Sequence, residues 1–230
     1  MSLQTNRAAI ALRNLTRRIG LNKWLASKVR SGYEDRFGAD LLARVRAGDI
    51  VWDVGANVGF YTRRFAELAG PAGKVVAFEP SPANCEKLRQ NTAGLENVVV
   101  MPYGLGNSTA KLSFLQGEDE LGATSRIVAG TEGGPQVDIR RGDEIASCML
   151  APEPTLIKID VEGFEWEVLD GFGGLLANPR LHTLGIELHF GLLAARGMPT
   201  VPAQIEALLK QSRFACDWPD SSHLIAVRGR

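Results

Sequence analysis

Asp53-Val54-Gly55-Ala56-Asn57-Val58-Gly59 puts an acid, an amide and two glycines directly at and after the apolar run Ile50–Val54. An acid near the end of a buried strand, a tight turn and a glycine leading into a helix describe a ligand loop. Gly55 lets the backbone come close to a bound group, and the helix N-terminus offers free N–H groups and partial positive charge. A pyrophosphate loop has the spacing G-x-G-x-x-G, with glycine where this chain has Asn57, and keeps carboxylates away from the phosphates. S-adenosylmethionine carries a sulfonium and an amino group instead, and both accommodate a carboxylate. Asp53 therefore favours that cofactor over a dinucleotide; the competing reading is an ordinary strand-end turn. A second acid, Glu79, ends the run Lys74–Phe78 and is followed by Pro80 and Ser81. A carboxylate there accepts from both ribose hydroxyls in doubly wound folds, a device that NAD enzymes share, so Glu79 speaks for adenosine alone. The expected cofactor-binding set is Asp53, Gly55, Asn57, Gly59, Glu79, Pro80 and Ser81.

These residues need strands that end side by side. The patterning predicts strands at Ile50–Val54, Lys74–Phe78, Val98–Tyr103, Leu156–Asp160 and Leu184–Leu188. It predicts helices at Tyr61–Ala69, Ser81–Thr92, Phe164–Asp170 and Pro202–Gln211, with Ser81 as N-cap and Pro82 at the first helical position. Short strands are expected at Ala110–Leu115 and Gln136–Ile139, a short helix at Asp143–Ser147, and a closing hairpin from Phe214–Asp217 and Leu224–Val227. Strands alternating with helices imply an α/β, doubly wound, mostly parallel sheet covered on both faces, with a C-terminal antiparallel hairpin. Before it, Asn6–Val29 reads as one or two amphipathic helices and Asp40–Arg46 as another, ending at Gly48. The expected division is a helical N-terminal extension over 1–47, a cap or dimer element, and the catalytic domain over 48–230.

Three blocks in this order, Asp53 to Gly59, Phe78-Glu79-Pro80 and Lys158-Ile159-Asp160-Val161-Glu162-Gly163-Phe164-Glu165, resemble the FkbM-type methyltransferase family. The resemblance covers roughly residues 50–190 and is most specific in the last block. It implies the class I methyltransferase fold, a Rossmann-like seven-stranded sheet, and S-adenosylmethionine-dependent transfer to a hydroxyl, often of a sugar in a glycolipid, polysaccharide or secondary metabolite.

Methyl transfer from a sulfonium is an in-line displacement whose leaving group is already activated, so the protein must align the acceptor and take its proton. In this fold Asp160 and Glu187 end neighbouring strands and are expected to converge; hard oxygen ligands of that kind suit Mg²⁺. His189 alternates with Glu187 and titrates near neutrality, which makes it the candidate general base beside Asp160. The plainer alternatives are a helix cap for Asp160, amide binding for Glu162 and a loop histidine for His189. His182 and His223 are assigned to the structural background, and Lys158, inside a buried strand, needs a carboxylate partner.

The bulk numbers exclude other classes. Lys+Arg 26 against Asp+Glu 26 leave no net charge for nucleic acid, although seven cations precede the first acid, Glu34. Cys85, Cys148 and Cys216 have neither metal-ligand nor disulfide spacing, which fits a reducing cytoplasm. No apolar run reaches the length of a membrane span. A homodimer is compatible with the apolar face of the N-terminal helices. Three alternatives compete: an NAD-linked oxidoreductase, against which Asn57 speaks; a non-catalytic S-adenosylmethionine-binding subunit; and an aminopropyltransferase, which would show paired aspartates.

Overall fold

The computed structural model describes residues 36–115, 126–128 and 136–229. The helices expected between Asn6 and Val29, with their cap or dimer role, lie outside the described residues.

Apolar β-branched runs make the central strands because both of their faces are covered. β1 (Ile50–Val54), β2 (Lys74–Phe78), β8 (Leu156–Ile159) and β9 (Thr183–Glu187) are almost wholly buried. With β3 (Val98–Met101), β10 (Phe214–Asp217) and β11 (His223–Arg228) they form a seven-stranded sheet in the order β10-β11-β9-β8-β1-β2-β3. Only β11 runs antiparallel, inserted between β9 and β10. The chain leaves β1 toward β2 and β3, then returns to β8 on the other side, so the switch point lies between β1 and β8. Ligands of such sheets bind outside the strand C-termini at that point.

Register fixes what meets there. Val54 pairs with Phe78 and with Ile159, and Ile159 with Ile186. The residues that follow, Gly55, Glu79 and Asp160, therefore stand level with Glu187, which itself pairs with His223. One row across the sheet edge reads Glu79, Gly55, Asp160, Glu187, His223.

The helices are α2 (Phe60–Ala69), α3 (Pro82–Asn91), α4 (Gly142–Ser147), α5 (Glu165–Asp170), α6 (Phe190–Ala195) and α7 (Val201–Gln211). Ser81 caps α3 by accepting from the Asn84 amide, and Pro82 opens it. Ahead of them α1, over 36–42, begins earlier than the expected 40–46. Its Phe37 and Leu41 are buried with Val51, Phe65, Val75, Leu156 and Ile225, so this part of the 1–47 stretch packs on the sheet. The larger core lies around Trp52, which touches Phe78 and Phe172 edge-on and donates its indole N–H to Pro152 O at 3.0 Å.

The short strands expected at Ala110–Leu115 and Gln136–Ile139 are present, and they belong to a second sheet that patterning did not foresee, ordered β4-β7-β5-β6. It joins β4 (Gly104–Gly106), β5 (Ala110–Leu115), β6 (Arg126–Val128) and β7 (Gln136–Arg141). β4 has three residues, two of them glycine, and carries no alternation to read. A Cβ on Gly171 would sit 1.9 Å from Gly106 O, and this close approach seats the second sheet against α5. No helix among the described residues is long and apolar enough to cross a membrane.

Candidate active site

The loop after β1 is shaped by backbone. Gly55 (φ 78°) and Ala56 both donate their N–H to Phe78 O at 3.0 Å. A Cβ on Gly55 would lie 1.8 Å from Asp160 O, so this glycine serves a close approach between two loops of the protein. Gly59 (φ 91°) leads into α2 with Leu88 against it. Asn57 takes φ 51°, a left-handed conformation that asparagine tolerates better than most residues.

Glu79 is buried at the edge of this loop. Its Oε2 accepts from Asn57 N and its Oε1 from Ser81 N, each at 2.8 Å. Burial pushes its carboxyl up to about 7, against the pull of those two amides. The Asn84 side chain also bonds this carboxyl, and the four lone pairs of its two oxygens leave capacity for a hydroxyl donor beyond these three. The Asn57 side-chain oxygen is buried without a hydrogen-bond partner. Cys85 donates its thiol to Glu79 O at 2.9 Å, and burial pushes that thiol up to about 11, which leaves it inert. The chemistry of the cradle, a bridged carboxylate beside an unsatisfied amide oxygen, fits an adenosine ribose and an amino group. Ser81 is itself buried, and its amide and hydroxyl hold Glu79 and α3 in place.

Asp53 lies beneath the loop with no exposed surface. Its Oδ2 accepts from Thr62 at 2.6 Å, and its Oδ1 faces Lys158 Nζ at 3.7 Å, beyond hydrogen-bond distance. Burial pushes its carboxyl up while Lys158 pulls it down. Lys158, buried in β8, is held in its charged form in spite of burial, first by Asp160 at 3.2 Å and then by Asp53. Asp160 is the closer counter-ion, so Lys158 links the first loop to the second.

Beyond β8 the side chains dominate. His189, the N-cap residue of α6, presents Nδ1 to Glu165 Oε1 at 2.6 Å. The same oxygen accepts from Gly163 N at 2.9 Å, and Glu165 has no exposed surface. His189 Nε2 faces Glu162 at 3.3 Å, Glu187 at 3.8 Å and Asp160 at 4.0 Å. Burial works against a proton on His189, but Glu162 and Glu165 outweigh it and push the imidazole up to about 11. Glu187 is drawn down to about 2; burial opposes this, and the hydrogen bond from His223 and the charge of His189 overcome it. His223 bonds Glu187 at 3.4 Å and Asp220 at 2.8 Å, and stacks on Phe37. Arg196 pins the loop by donating to Gly163 O and Glu167, with its guanidinium over Phe164.

The structure thus gathers Asp160, Glu187 and His189 in one cluster. Sequence reasoning gave no role to Glu165, hidden in the first turn of a short helix, and left His223 in the background. His223 joins the cluster because β11 is inserted beside β9, a pairing that no local pattern encodes. His182 stays away from it, on Asp49.

The family profile described as methyltransferase FkbM domain matches residues 53–214. The chain is 31% identical over 178 residues to the hexuronic acid methyltransferase AglP of Haloferax volcanii, covering 77% of this chain and 68% of that protein. It is 46% identical over 56 residues, 24% of this chain and 20% of the relative, to the 31-O-demethyl-FK506 methyltransferase FkbM of Streptomyces tacrolimicus. Among solved structures, SMU.1697c of Streptococcus mutans, a candidate methyltransferase in complex with SAH, is similar with a TM-score of 0.53 and 12% identity. The match covers 84% of this chain and 95% of that one. A candidate rRNA-methylase of Clostridium thermocellum is similar with a TM-score of 0.52 and 11% identity, over 84% and 94%. At such identities the structures speak for the fold alone, the class I methyltransferase fold with its Rossmann-like sheet.

Proposed function

From a chain that belongs to the methyltransferase FkbM domain family, an S-adenosylmethionine-dependent methyltransferase by family and fold, we propose an enzyme that methylates a hydroxyl oxygen of a sugar. The sugar belongs to a glycolipid, polysaccharide or secondary metabolite. The hexuronic acid named for the Haloferax relative supports the carbohydrate class. The observation that carries the reading is the row across the sheet edge, which sets Glu79 on one side of the switch point and the acids around His189 on the other.

Glu79 is placed to accept from the ribose hydroxyls, with Asn57 and Ser81 fixing its two oxygens. When bound, S-adenosylmethionine supplies a methyl group on a sulfonium, which leaves without protonation. With the sulfonium as the source of the methyl carbon and as the leaving group, this chain would have to align the acceptor hydroxyl and take its proton at Asp160 or His189. His189 takes it only after giving up the proton that its own acids hold in place. Glu165 fixes the imidazole so that Nε2, and not Nδ1, meets the acceptor.

Calorimetric titration with S-adenosylmethionine and with NAD⁺, followed by methyl-labelled transfer to uronic acid and neutral glycosides, tests this. The expected result is S-adenosylmethionine binding lost in Glu79→Ala and label on a sugar oxygen. Binding of NAD⁺ instead, or label on nitrogen or carbon acceptors alone, sinks the reading.

A further inference from the structure

Negative charge around His189 exceeds positive charge. Asp53, Asp160, Glu162, Glu165, Glu187 and Asp220 share Lys158, His189 and His223. Asp53, Glu165 and Asp220 are held out of bulk water and Asp160, Glu162 and Glu187 are half-buried, so a further cation would relieve their mutual repulsion. Among the described residues, Asp160, Glu162 and His189 form a group whose ligating atoms, one from each, all lie within 4.8 Å of one another.

Two of the separations suit a shared ion. Nε2 stands 3.3 Å from Glu162 Oε2 and 4.0 Å from Asp160 Oδ1. Ligand atoms on arms of about 2.1 Å stand about 3.0 Å apart at right angles and about 4.2 Å apart across the ion. The histidine is also prepared for such a partner. Glu165 holds Nδ1 at 2.6 Å and turns Nε2 toward the two carboxylates, the outer-shell arrangement that accompanies ligating histidines. The other Glu165 oxygen is buried with no hydrogen-bond partner, so no further donor neutralises that carboxylate.

We propose that Asp160, Glu162 and His189 bind a divalent first-row transition cation of the Mn²⁺ or Zn²⁺ kind, with Glu165 as the residue that positions the imidazole. Glu187 has one oxygen on His223 and the other 3.8 Å from Nε2, and it does not belong to the group whose ligating atoms all lie within 4.8 Å of one another. This differs from the sequence expectation of Mg²⁺ on Asp160 and Glu187. An imidazole nitrogen among the ligands favours first-row transition ions, whereas Mg²⁺ prefers oxygen alone. A cation on Nε2 and Asp160 would stand in for their role as proton acceptors and would instead lower the pKa of a hydroxyl bound to it; the site is testable without any methyl transfer.

The full chain, stripped with a chelator, is titrated with Mn²⁺ alone and with Mg²⁺ alone, and the Mn²⁺ form is examined by pulsed electron paramagnetic resonance. The expected result is one Mn²⁺ site, at least tenfold tighter than Mg²⁺, with coupling from a directly bound imidazole nitrogen. Asp160→Asn and His189→Gln should each weaken it tenfold or more, and His189→Gln should lose the nitrogen coupling. Mn²⁺ binding without nitrogen coupling in the unaltered protein, or no saturable Mn²⁺ binding at all, overturns the proposal, and neither result depends on a variant that folds. The methyltransferase reading survives either failure, since S-adenosylmethionine binding is measured separately.

Discussion

The two halves of the sheet edge are built by different means. Around Glu79 and the loop after β1, backbone does the shaping: positive φ at Gly55, Asn57 and Gly59, and amides of Asn57 and Ser81 on one carboxylate. Around His189, across the switch point, side chains do it, with Asp160, Glu162, Glu165 and Glu187 all reaching one imidazole. A cradle defined by backbone recognises shape, and a cluster defined by charge handles protons and cations. Substitutions in the first should therefore act on folding and cofactor affinity, and those in the second on turnover.

Gly55→Ala should have the largest effect because it strikes the seam between the halves. The new methyl would lie 1.8 Å from Asp160 O, at a φ of 78° that alanine adopts at a cost. Overpacking and backbone strain together come to about 4 kcal/mol. Urea denaturation should show that loss, with S-adenosylmethionine affinity falling alongside. A variant of unchanged stability would mean that the two loops move apart easily, and the contrast between the halves would lose its basis.

Glu165→Gln sharpens the contrast from the other side. The amide keeps an acceptor for Gly163 N but removes the charge facing His189. We expect kcat to fall by roughly 10² to 10³, within the range for a misdirected acid–base group, while S-adenosylmethionine affinity stays put. Equal losses in both would show that the cluster also shapes the cradle.

Glu79 offers a pH test confined to the cradle. Its folded carboxyl stands at about 7, above the ordinary 4.5, because burial disfavours the charge. The folded state therefore holds a proton that the unfolded state has lost between those values, and stability falls as pH rises from 4.5 to 7. The whole change is about 3 kcal/mol. Glu79→Gln should gain that much on the natural protein between pH 4.5 and pH 8 in denaturation series. Over pH 6 to 8, affinity for 5′-methylthioadenosine should rise in the natural protein as the carboxylate ionises to accept the ribose hydroxyls. In Glu79→Gln it should stay weak and flat.

Much of the cradle was legible because its signals are local. Gly55, Gly59 and the acids at the ends of β1 and β2 sit within short windows, and buried parallel strands read as apolar runs. The cluster was legible where residues stand at or just past a strand end, as Asp160, Glu187 and His189 do. Glu165 and His223 act through pairings distant in sequence, β8 with β9 and β9 with β11, that composition does not announce. β4 and β6 escaped for a simpler reason, since three-residue elements carry too few positions for a period. Gly55 was expected to let the backbone approach a ligand, and the close approach it makes in the structure is to the backbone of Asp160.

The smallest expected effect concerns the bridge between the halves. Thr62 donates to Asp53 Oδ2 at 2.6 Å, and the other Asp53 oxygen has only Lys158, at 3.7 Å. Thr62→Val keeps the shape and removes the hydrogen bond that Thr62 gives that buried carboxyl, at a cost of about 1 to 3 kcal/mol. Burial already holds the carboxyl above its ordinary range, and loss of the donor should raise it further. The ionised form is the one that suffers, so the penalty should be larger at pH 8 than at pH 5. Denaturation of both proteins at the two pH values measures it. A penalty independent of pH would mean that Asp53 does not change its protonation state between the two values, and that the hydrogen bond from Thr62 acts on one form of the carboxyl alone.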